Sequence, residues 1–137
     1  NIGDTLLFLA HKDQMMQIEN LVVAGGDKAV LEQNQFGCSY TEVGAELARR
    51  WNFPEDICQA IAHQNHPQSA GDASMNALLL NLAVQINQQL AAGKKAPEVI
   101  GNLPQEKLAD LHIDRTNLLE QLTRMLQQED DIESFIG

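Results

Sequence analysis

A chain of 137 residues with 44% hydrophobic content is about one domain's worth of material and can bury a real core. Only 4% of it is aromatic, so Leu, Ile, Val, Ala and Met must fill that core. Nineteen acidic against nine basic residues leave a net charge of −10, and scattered cations such as Arg49-Arg50 and Lys94-Lys95 make no basic surface. Nucleic acid and anionic membranes are therefore excluded as general partners.

Helical periodicity runs through the whole chain and no segment alternates as a strand does, so the fold class is all-α. The sequence opens without Met, inside an apolar run, and residues 6–10 have no polar face. This opening is expected to be a buried helix, in a fragment whose N-terminal helices are absent. Residues 14–24 carry apolar side chains at 15, 18, 21 and 22 and stop at Gly25-Gly26, a helix-ending pair. A short helix is predicted from Asp27 to about Gln35. Ser39-x-x-Glu42 is a capping-box pattern, and the helix it opens lines up Tyr40, Val43, Gly44, Leu47, Ala48 and Trp51 on one face. Gly44 in mid-helix predicts a close helix–helix approach, and Trp51 is expected to be a buried hinge anchor. Pro54 suits the first position of the next helix, which buries Ile57, Ala60 and Ile61 and ends near Pro67.

Residues 68–72 read as a polar loop, with Asp72 or Ser74 capping the helix after it. Met75, Leu78, Leu79, Leu82, Ala83, Ile86 and Leu90 mark that helix as long and amphipathic, ending at Gly93. A second, smaller unit begins after Pro97. It has a short helix over 104–111 and another, capped by Asp114, running to about Gln128; the acidic residues 129–133 read as the start of a solvated tail. No run approaches the roughly 20 apolar residues of a membrane span, and no signal peptide is visible. Cys38 and Cys58 lack metal-motif spacing and read as reduced thiols partly packed in a core. A cytoplasmic location is the default.

The most informative stretch is 40–62: two short helices around a Trp51-x-x-Pro54 corner, followed by His63-Gln64-Asn65-His66-Pro67. With the opening Asn1-Ile2-Gly3, this order resembles the HDOD family, a non-catalytic relative of the HD-type metal phosphohydrolases. The resemblance covers residues 1–95. It implies a compact multi-helix bundle of HD-like type, with 1–95 the C-terminal part of the domain and 96–137 a helical extension packed on it. Gly3, Gly44, Trp51, Pro54 and Pro67 are its structural motif residues.

HD-type enzymes bind metal through a His-Asp pair and further histidines. In this sequence the Asp place holds Asn1, the next histidine's place holds Tyr40, and the place of paired histidines holds Gln64-Asn65. His63 and His66 remain as an incomplete candidate pair, without an acidic or thiol ligand in sequence beside them. His11 and His112 read as helix-end residues. No glycine-rich phosphate loop precedes a helix, and Cys38 and Ser39 lack an evident base. The resemblance therefore implies no catalysis, no cofactor, and a regulatory module in bacterial signal transduction. Its partner would be another protein or an adjacent signalling domain, with a homo-oligomer as a further option. The alternative is a metal-dependent phosphohydrolase acting on a cyclic or other nucleotide.

Overall fold

The structure, a computed structural model, describes residues 2–137, all of its regular elements helical. Asn1 lies outside the described residues, and the expectation placed on it goes no further. Two compact units divide the chain, Asn1–Leu80 and Asn81–Gly137. The division falls inside one long helix, earlier than the residue 95 at which the sequence pattern divides the chain.

In the first unit α1 (Ile2–Ala10), α2 (Lys12–Val23), α3 (Lys28–Phe36), α4 (Tyr40–Arg50) and α5 (Glu55–Ala62) come in order. Leu7, Met15 and Ile18 form the core between the first helices, with Val22, Leu31, Phe36, Tyr40 and Val43 packed against it. α1 lies against α4 at a contact that two glycines make possible. A Cβ on Gly3 would fall on the Tyr40 carbonyl oxygen and lie 2.9 Å from the Gly44 amide nitrogen. The close approach expected from Gly44 is therefore real, and Gly3 is its other half. Several segments between helices are also ordered by side chains. His11, which precedes α2, stacks on Phe36 with ring centroids 4.8 Å apart. Asp27 caps α3 by accepting from the Val30 amide at 3.0 Å.

The corner after α4 corrects one expectation. Trp51 is 58% exposed and anchors nothing. Backbone hydrogen bonds hold the turn instead: Asn52 N–H donates to the Arg49 carbonyl and Phe53 N–H to the Ala48 carbonyl, each at 3.0 Å. This is a Schellman closure, with Asn52 taking the left-handed conformation at φ 59°. The left-handed residue turns the chain sharply after Trp51, so the indole stays outside. Pro54 precedes α5 as its cap residue, one place before the first helical position. Below the corner the Cys58 thiol is fully buried and donates to the Phe53 carbonyl at 3.7 Å. Ile57 and Ile61 are only half-buried, because Cys58 and Ala60 take the inward face of α5.

Residues expected to form a polar loop make a 3-10 turn (Pro67–Ala73) that runs straight into α6 (Ser74–Ala91) without a capping side chain. Ala70 and Ala73 of this turn meet Ala60 and Ala77 in a second small core. Ala77 faces inward, and at helical spacing that leaves Met75 and Leu79 about half-exposed rather than on the buried stripe.

In the second unit α7 (Ala96–Gly101), α8 (Gln105–Asp110) and α9 (Arg115–Ile136) close around Leu82, Ile100, Leu103 and Leu108. Asp114 caps α9 by accepting from the Asn117 amide at 2.8 Å. The Arg115 guanidinium donates to the carbonyls of Gly101 at 3.1 Å and Leu103 at 2.8 Å, and also to that of Ile100. It thereby satisfies the C-terminal end of α7 with one side chain. His112 holds the left-handed position after α8 at φ 53°, so its role is in the backbone turn. The acidic residues expected as a tail are helical, since α9 continues through them to Ile136.

Candidate functional site

Asp27 caps α3, which carries Glu32, and Ser39 caps α4; between them they set the geometry of a buried polar point in the first unit. Ser39 N–H donates to Glu42 Oε2 at 2.8 Å and the Glu42 amide reaches back to Ser39 Oγ at 3.5 Å, the reciprocal capping expected. The Tyr40 amide, next along, donates to Glu32 Oε2 at 2.6 Å. Glu32 is completely buried, and its other oxygen has no hydrogen-bond partner. Loss of water around Glu32 pushes its carboxyl above the ordinary range, against the opposing pull of the Tyr40 amide and of Lys28. A proton on that carboxyl would turn the unpartnered oxygen into a neutral group.

Lys28 sits one helical turn before Glu32 on α3. Its ammonium lies 2.6 Å from Asp4 Oδ1 on α1 and 2.5 Å from Glu19 Oε1 on α2, joining three helices at one charge. It also stands 5.9 Å from the centre of the Tyr40 ring, within cation–π range. Burial alone would lower the Lys28 pKa, but Asp4 and Glu19 together outweigh it and raise the value. Lys28 is therefore a fixed positive charge.

On the outer side of Tyr40 the phenol oxygen meets Asn65. The distances are 3.1 Å to Oδ1 and 2.9 Å to Nδ2. Two of the positions singled out in sequence are thus brought together from 25 residues apart. Gln64 is buried beside them and donates to the Ile61 carbonyl at 3.2 Å. His63 ends α5, half-buried, and His66 lies beyond the turn, exposed, its amide donating to the His63 carbonyl. Among the described residues no three His, Cys, Asp or Glu side chains gather as a metal ion would require. Carboxylates that do converge meet a cation: Asp4 and Glu19 at Lys28, and Glu46 and Glu55 at Arg49.

Residues 1–67 match the HDOD domain family. The match covers 67 of the 137 residues, and over that part the chain is similar to an HDOD domain. A crystal structure of a Shewanella amazonensis SB2B protein named "Putative phosphohydrolase" is similar over 90% of this chain, with 31% sequence identity and a TM-score of 0.77. The chain spans 46% of that protein's length, so the likeness concerns less than half of the relative. No curated protein sequence matches the chain. The all-α architecture is of the HD-like type. No helix among the described residues is long and apolar enough to cross a membrane.

Asp4, Glu19, Lys28 and Glu32 were not legible as a site. Asp4 and Glu19 look like ordinary solvated helix positions, and the Lys28/Glu32 spacing looks like a surface i,i+4 pair. The nine-residue helix that carries Lys28 and Glu32 is too short for periodicity to separate its inside from its outside.

Proposed function

We propose that this HDOD-like chain is a non-catalytic regulatory module in bacterial signal transduction that works through protein contacts. The observation that supports this reading is the Tyr40–Asn65 pair. A metal-dependent phosphohydrolase holds its ion with imidazole nitrogens and carboxylates, so that a bound water becomes a nucleophile near neutral pH. Where the family resemblance would place histidines, this chain has a neutral phenol and a neutral amide that satisfy each other. Of the nearby carboxylates, Glu32 is buried and accepts from the Tyr40 amide, and Asp4 and Glu19 are paired with Lys28. Such an arrangement stabilises a fold and offers no electrophile. The partner is an adjacent signalling domain or a separate protein.

The alternative is a metal-dependent phosphohydrolase acting on a cyclic or other nucleotide; the Shewanella protein is named a phosphohydrolase, with no substrate given. That reading would have to draw on His63 or His66. A phosphodiester hydrolysis assay with added manganese or magnesium separates the two. The regulatory reading expects no turnover above the metal-only blank. Turnover that is lost in His63→Ala or His66→Ala would replace it with the enzymatic reading.

A further inference from the structure

The distal half of α9 carries an apolar line that nothing in its own unit covers. Leu118, Leu119 and Leu122, near the start of the helix, pack against the core of the second unit. At 3.6 residues per turn, Met125, Ile132 and Ile136 continue the line of Leu118 within about 40° of one another. Their exposures are 60%, 58% and 80%, and Phe135 at the edge of the line is 92% exposed. Every residue from 127 onward is exposed. This stripe extends about 16 Å along the helix.

Charge says what kind of surface it fits. Glu129 and Glu133 border the stripe on one side and Asp131 on the other, and no Lys or Arg occurs after Arg124 in the sequence. None of these three carboxylates has an ion-pair partner among the described residues. An uncovered helical segment of this length is marginal in water by itself, so an apolar face on it has value chiefly when a partner covers it. A second copy is disfavoured, since it would bring the same carboxylates together in a chain whose net charge is −10.

We infer that the distal half of α9 is a docking face for a basic amphipathic helix of a partner protein, Met125, Ile132, Phe135 and Ile136 entering its apolar face while its flanking Lys or Arg side chains meet Glu129, Asp131 and Glu133. This deepens the interaction-module reading and rests on it. It places the partner contact in the second unit, whereas the Tyr40–Asn65 pair belongs to the first.

The test uses the whole 137-residue chain and a fluorescent synthetic helical peptide with leucines on one face and lysines on both flanks. The control peptide has every lysine replaced by glutamate. The lysine peptide is expected to bind, with Ile132→Asp or Phe135→Ala raising Kd by about tenfold. Glu129→Gln combined with Asp131→Asn and Glu133→Gln should weaken binding and flatten its salt dependence. Circular dichroism melts should be unchanged in these variants, because every altered side chain is exposed. Equal binding of both peptides, or no binding of either, overturns the proposal. Binding that ignores the α9 variants overturns the docking face and leaves the interaction-module reading standing. Sedimentation showing a dimer that Phe135→Asp dissolves would assign the face to a second copy, against the proposal.

Discussion

Replacing Gly3 by Ala tests the tightest contact in the first unit. Taken locally, the change should help: alanine is favoured over glycine in a helix by about 1 kcal/mol. The contact decides otherwise. The added methyl would collide with the Tyr40 carbonyl oxygen and stand 2.9 Å from the Gly44 amide nitrogen. Both are backbone atoms of α4, whose first turn the Ser39–Glu42 capping and the Glu32 bond hold in place. Neither can swing aside as a side chain could, so α1 must move away from α4. Leu7, one turn along α1 and only 5% exposed, moves with it, and even a gap of about 0.5–1 Å forfeits a quarter to a half of its dispersion contacts. Overpacking of this kind costs about 1–3 kcal/mol, and the backbone partners put Gly3→Ala at the upper end. After the propensity gain a net loss of about 2 kcal/mol remains, or a fall in Tm of about 6 °C for a chain of this size. Gly101→Ala is the matched control, because nothing lies within 4 Å of a methyl there, and it should leave Tm unchanged or slightly raised. A far-ultraviolet melt of both proteins suffices. A Gly3→Ala protein as stable as the parent would refute the close approach of α1 and α4.

Glu32 links stability to pH in a direction opposite to most carboxylates. Its folded pKa is raised above the ordinary 4.5, first by desolvation, so its stabilising contribution is full below that value and lost as pH rises through the folded pKa. Glu32→Gln should remove this loss, so that denaturation at neutral pH finds the variant gaining on the parent relative to about pH 4.5; parallel pH profiles would contradict it. Trp51→Ala should cost under about 1 kcal/mol, since the indole is mostly exposed, and a loss of the about 3–5 kcal/mol typical of a buried Trp would restore its anchoring role. Arg115→Lys should destabilise the second unit by about 1–2 kcal/mol in urea denaturation, because an ammonium cannot span three carbonyls as the planar guanidinium does. An Arg115→Lys protein with the parent's midpoint would show that the carbonyls find water instead.

Local grammar was the legible part of the fold. Ser39-x-x-Glu42 and Asp114 announce their helices because a capping oxygen must sit within three residues of the amide it serves, a constraint written in adjacent letters. Gly44 points to a close approach for the same reason. α7 escapes notice because six residues are too few for a periodic pattern, and the side chain that satisfies its C-terminal carbonyls is Arg115, fourteen residues beyond Gly101. Trp51 misleads because size and apolarity suggest burial, while a left-handed Asn52 decides which way the chain turns. At the candidate site the positions of Tyr40 and Asn65 are legible as substitutions, yet their mutual hydrogen bond depends on how α4 and the end of α5 meet. Glu32 is invisible: a glutamate between Leu31 and Gln33 carries no mark of the amide it will meet eight residues later.

The two cysteines turn the first unit into its own clock. Cys58 is sealed beneath the corner, while Cys38 remains half-accessible before α4. A thiol reagent added to the native protein should therefore modify Cys38 and leave Cys58 untouched until the corner opens. The lag between the first and second labelling events then measures how often that opening occurs at Cys58, without denaturant. It also gives a single natural handle at Cys38 for attaching a probe, with no engineered cysteine required.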